Sequence, residues 1–116
     1  MSFDLTFWYE TEPSDGERAA EIYDRLTDGE NGVVDQNPAV GDFYREVIAV
    51  YKEMTVENAE VSPWTSSPYY NEECVIACIA WSRRDDVGPA LLALASKHGL
   101  TSYDPQDEVI HHPVDR

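Results

Sequence analysis

The chain has 116 residues, 42% of them hydrophobic, and it carries 23 acidic against 8 basic side chains for a formal charge of −15. That is apolar material for one core, and one domain over residues 1–116 is expected. The charge argues against nucleic-acid binding, because phosphate contacts need clustered Lys and Arg. It argues equally against anionic membranes, and no apolar run of about 18 residues is present to span a bilayer.

Residues 2–10 alternate. Phe3, Leu5, Phe7 and Tyr9 share one face, and Asp4, Thr6, Trp8 and Glu10 the other, the pattern of a strand with one well-buried side. Pro13 to Glu17 break it, and Ser14 with Glu17 matches a helix capping box. Ala19, Ile22, Tyr23 and Leu26 then recur at helical spacing until Asp28-Gly29. Residues 28–37 are rich in turn formers and read as a surface loop. Asn37-Pro38 is a helix start signal, and Val40, Phe43, Tyr44, Val47, Ile48, Tyr51 and Met54 form one stripe behind it.

Residues 55–72 lose periodicity, and Ser62 to Asn71, with two prolines and three aromatics, reads as a loop. The run from Cys74 to Trp81 is apolar on both faces, which predicts a strand inside the sheet with helices over it. Asp85 or Asp86 caps a third helix whose inner face carries Val87, Leu91, Leu94, Ala95 and His98. Gly99 suits the left-handed position after it, and Leu100 the hydrophobic contact of such an ending. Residues 100–103 read as a short strand, and Val109-Ile110-His111 as a last extended piece.

The expected fold is α/β, in the order β-α-α-β-α-β, with helices packed on a small three- to four-stranded sheet. The strand at 74–81, the helix after it and the strand at 100–103 form a β-α-β unit with parallel strands. Cys74 and Cys78 stand on one side of a strand, about 13 Å apart at ~3.3 Å per residue. A disulfide needs Cα atoms within about 7 Å, so two free thiols and a reducing, cytoplasmic setting are expected. No basic segment followed by an apolar stretch opens the chain.

Three segments resemble a family of small acidic bacterial proteins, common in actinobacteria. They are Ser2-Phe3-Asp4-Leu5-Thr6-Phe7-Trp8, Ser62-Pro63-Trp64, and His98-Gly99-Leu100-Thr101-Ser102-Tyr103-Asp104-Pro105-Gln106. Relatives look like the immunity partners of bacterial toxins, including contact-dependent inhibition systems. The resemblance implies an immunity protein without catalysis and carries over no functional residues. Residues 107–112 have no counterpart in the pattern.

The charge adds to this expectation. Residues 1–62 hold 15 acidic and 4 basic side chains, and an acidic face can occupy the cationic phosphate site of a nuclease-type toxin. Candidate partner-binding residues are Trp64, Tyr69 and Tyr70, whose rings suit an interface, with Glu72 and Glu73 beside them. Asp104, Gln106 and Asp107 join them, at a strand end where ligand sites are common. Asp104 also suits a turn-forming role, its carboxylate taking a backbone N–H two residues on.

No nucleophile elbow, phosphate-binding loop or zinc-protease motif occurs, so no enzyme and no cofactor is expected. His111 and His112 beside Asp107 and Glu108 make a poor metal chelate, since adjacent strand residues point apart. The competing expectation is a small-molecule-binding or regulatory domain, or a minor enzyme, using a groove near Trp8 and Asp104.

Overall fold

The alternation at the front of the chain becomes strand β1, Ser2–Trp8, in a computed structural model that describes residues 2–113. Helix α1, Gly16–Thr27, follows. Its cap is Asp15, whose carboxylate accepts from the Arg18 N–H at 2.9 Å. The Ser14–Glu17 capping box is therefore corrected by one position, because Ser14 is engaged by Glu10 instead. Helix α2, Pro38–Val50, starts where Asn37-Pro38 places it, with the Asn37 side chain accepting from Ala39 N–H at 2.9 Å.

Strand β2, Trp64–Tyr70, and strand β3, Cys74–Ala80, come next. A single 3-10 turn, Trp81–Arg83, leads into helix α3, Arg84–Lys97. No side chain caps α3; Asp86 pairs with Arg83, and Pro89 lies inside the helix. Strand β4, Thr101–Asp104, and strand β5, Val109–His111, finish the sheet.

The sheet has five strands in the order β2-β3-β1-β4-β5, every neighbouring pair antiparallel. The expectation of three or four strands is corrected by β2, in a segment read as loop. β2 is an edge strand with two register shifts, and it contains Pro68, so alternation is lost while pairing with β3 persists. β3 and β4 run in the same direction, as a β-α-β unit requires, but β1 lies between them.

Helices cover both faces. Leu5 and Phe7 of β1, with Val75, Ala77 and Ile79 of β3, meet α2 and α3 through Val40, Phe43, Val47, Val87, Leu91 and Ala95. Phe7 and Phe43 pack ring to ring at 4.7 Å. On the opposite face Trp8, Cys74 and Tyr103 meet α1 through Ala19, Ile22 and Leu26. Each enclosed aliphatic or aromatic side chain contributes about 1.5–3 kcal/mol of transfer free energy, which is what holds helices to the sheet. Gly88 lets α3 approach β1, since a Cβ there would stand 3.3 Å from the Phe3 ring. No helix among the described residues is long and apolar enough to cross a membrane.

Candidate binding groove

The nine-residue segment at 98–106 is joinery. Gly99 ends α3 at φ +74°, where a side chain would strain the backbone, and Leu100 N–H returns to the Ala95 carbonyl at 2.9 Å. His98 Nε2 lies 2.8 Å from Glu46 Oε1, and Lys97 reaches the same carboxylate at 3.0 Å. These contacts hold the pKa of Glu46 below the usual carboxylate range, the His98 hydrogen bond contributing most.

Asp104 forms the turn its sequence context suggests. Its Oδ1 accepts from the Gln106 N–H at 2.9 Å and the Asp107 N–H at 3.3 Å, and from the Gln106 side-chain amide. β4 turns away from β1 at this point, and Gln106 takes its place. Its carboxamide accepts from Asp4 N–H at 2.6 Å and donates to the Asp4 carbonyl at 2.9 Å, pairing the strand edge as backbone would.

Apart from Trp64, the expected partner-binding residues fall into two groups. Tyr70 pairs with Val75, near the Trp8 end of the sheet on the β2 edge. Asp104 pairs with Val109 on the β5 side, toward the Ser2 end. The groups therefore occupy diagonally opposite corners and do not form one surface.

Trp64 pairs with Ile79, opposite Phe3, so it stands at the Ser2 end of the β2 edge; it is only 2% exposed, and its expected role as a contact residue is corrected. Its indole N–H donates to the Lys52 carbonyl at 3.0 Å, closing the end of α2 over the core. Glu73 is likewise buried. Its carboxylate accepts from backbone N–H groups of Gly32 at 2.8 Å, Val33 at 3.0 Å and Val34 at 3.3 Å, tying the 28–37 loop to the sheet. Tyr69, Tyr70 and Glu72 are exposed as expected. Tyr70 stacks on Tyr44 at 4.6 Å, with its hydroxyl over Gly41, where a Cβ would meet it at 2.9 Å. Tyr44 donates to Glu53, which pushes the phenol up to about 12.

At the second corner a trough opens between α3 and the β4–β5 hairpin. One hollow, of about 420 Å³, is lined by Phe3, Arg84, Pro89, Leu92, Asp104, Asp107, Val109 and His111, among others. A second, of about 430 Å³, continues past Leu92 and His111 to Ala93, Ser96, Leu100, Ser102 and His112. Asp104 and Asp107 thus share a concave site. Gln106 is committed to β1, so its expected partner contact is corrected to a structural one. Phe3, Leu92 and Val109 were not singled out from sequence, since three separate elements supply them.

The competing groove near Trp8 and Asp104 is contradicted. Ser102 pairs with Phe7, so Asp104 belongs to the Phe7 face of the sheet and Trp8 to the other. Trp8 is fully enclosed, its indole N–H donating to Glu10 Oε1 at 2.9 Å. Glu10 also accepts from the Ser14 hydroxyl at 2.6 Å, Ser14 N–H at 2.9 Å and Thr101 hydroxyl at 3.0 Å. Burial alone would raise its pKa; the four bonds outweigh that and hold it below the usual carboxylate value.

Cys74 and Cys78 are free thiols, and burial pushes Cys74 up to about 12, which leaves it inert. Among the described residues no group of three His, Cys, Asp or Glu side chains is placed to hold a metal ion. The chain matches no protein-family model, no curated protein and no solved structure.

Proposed function

We propose that the chain is an immunity-type binding protein that neutralises a basic toxin domain by laying an acidic surface over its active site. The observation that carries this reading is the disposition of the surplus carboxylates. Glu17, Glu21, Asp24 and Asp28 recur along the exposed side of α1, opposite the buried Ala19, Ile22 and Leu26. Ion pairs tie up Glu30, Asp42, Glu46, Asp85 and Asp86, so the α1 row keeps its charge facing solvent. A row of like charge at helical spacing is unfavourable to the helix itself. It is productive when a cationic surface approaches, since the field then accelerates encounter by ~10–10³-fold.

Inhibition follows from occlusion. Carboxylates take the places that substrate phosphates would occupy on Lys and Arg of the toxin, and the bulk of the domain excludes substrate. The test is co-elution of the purified chain with the toxin domain encoded beside its gene. The association rate should fall roughly tenfold or more between about 50 and 500 mM salt, as the Debye length contracts to a few Å. Failure to form any complex overturns the reading; a complex whose association ignores salt overturns its electrostatic part.

A further inference from the structure

The trough between α3 and β5 has apolar walls and an acidic end. Phe3, Leu92 and Val109 present carbon, and Asp104 and Asp107 stand where β4 turns away. Asp104 is only 7% exposed, and its three hydrogen bonds all end on Oδ1. Oδ2 has no partner among the described residues, and it is not sealed inside the fold. The one sealed and unpaired side-chain polar atom there is Thr6 Oγ1, on the other face of β1. The Asp104 carboxylate lines the trough beside Asp107, with one oxygen free of protein partners to take a donor.

The chain's own guanidinium on that wall, Arg84, stands 4.0 Å from Asp85, another carboxylate of the trough. Arg84 lies 4.3 Å over the Trp81 ring and donates to the Trp81 carbonyl at 2.7 Å.

We propose that this trough is a docking site separate from the α1 row that attracts the partner, and that its occupant is an extended segment of a basic protein. The segment sets a lysine or arginine against Asp104 and Asp107 and lays apolar side chains along Leu92 and Val109. This rests on the proposed function for the sign of the partner's charge, and it names the place and chemistry of contact. A long aliphatic stem with a cationic head matches carbon walls ending in carboxylates. Pairing in a half-enclosed trough is also less screened than pairing on an open helix face.

Two capped peptides test the site, acetyl-Leu-Lys-Leu-amide and acetyl-Leu-Gln-Leu-amide, titrated at low salt into the full isotope-labelled chain. The lysine peptide should move the amide resonances of Leu92, Val109 and His111 and bind roughly tenfold more tightly than its glutamine counterpart. Asp104→Asn and Asp107→Asn should each weaken it several-fold, while Glu57→Gln, exposed in the loop before β2, leaves it unchanged. Asparagine keeps the turn's acceptor oxygen at 104, so an unchanged melt is expected. Val109→Lys, on the exposed edge strand, is a second variant that fills the trough with a like charge.

Equal binding of the two peptides, or shifts centred on Tyr69 and Glu72 or on α1, overturns the site. A toxin complex that forms and ignores Val109→Lys overturns the site while leaving the immunity reading intact. Peptide capture in the trough with no toxin complex does the reverse.

Discussion

Glu10 shows how single side chains stabilise this fold. Its carboxylate is buried but satisfied by Trp8, Ser14 and Thr101, so it joins β1, the start of α1 and β4. Its folded pKa lies below the ordinary value of 4.5, so its contribution is full above that pH and is lost as pH falls through the folded value. Glu10→Gln should cost about 1–3 kcal/mol at neutral pH and flatten the loss of stability on acidification, as read from urea midpoints between pH 7 and 3. Gln106 does comparable work at the Ser2 end. Gln106→Ala removes both bonds to the Asp4 backbone and should cost about 1–2 kcal/mol, with faster hydrogen exchange at the Asp4 amide as the specific readout. Buried carboxylates such as Glu10 and Glu73 were not legible in the sequence. Glu73 bonds to Gly32, Val33 and Val34, about forty residues away, and Glu10 adds the distant Thr101 to its near neighbours Trp8 and Ser14, so no local pattern announces their burial.

At the level of elements, β1, α1, α2 and α3 were legible from the spacing that a buried face imposes, and β3 from an apolar run of strand length on both faces. β2 was not. It buries Trp64 and Pro68 but little between them, and its bulged pairing with β3 leaves no alternation to read. The direction of β1 was also hidden, since two helices can return the chain to either end of a sheet. Strand β3 offers a direct check. Ile79 is fully enclosed against α2 and α3, whereas Ile76 faces the α1 side and is partly open. Ile79→Asp should therefore abolish the cooperative melt, at a cost of several kcal/mol, on the order of the stability of a small domain. Ile76→Asp should leave a folded protein of reduced melting temperature. Unfolding by both or by neither would contradict the two-faced sheet. The candidate groove was half legible: Asp104 and Asp107 lie in one short segment, but the carbon walls come from β1, α3 and β5.

The whole molecule carries fifteen uncompensated negative charges on a chain of 116 residues. Self-repulsion on that scale destabilises the compact state, and salt screens it. Raising sodium chloride from about 20 to 300 mM should increase the melting temperature by several degrees. The melt should stay cooperative at the low end, which separates this chain from a halophilic one that loses its fold in dilute buffer. An unchanged or falling melting temperature would mean that the surplus charge does not act against the fold. The same repulsion favours keeping most acidic side chains on helix faces and turns, where water and counter-ions reach them; Glu10, Glu73 and Asp104 are the buried exceptions.

The position of β1 has a consequence for biosynthesis. Both of its neighbours come from the far half of the chain, with Ser2 opposite Ala80 and Trp8 opposite Cys74 and Thr101. On the ribosome, Leu5, Phe7 and Trp8 emerge before their partners and wait, unpaired, while two helices and the edge strand are made. β1 gains its second neighbour only once β4 has left the exit tunnel, so its apolar face waits on contacts of high sequence separation, a slow and aggregation-exposed step.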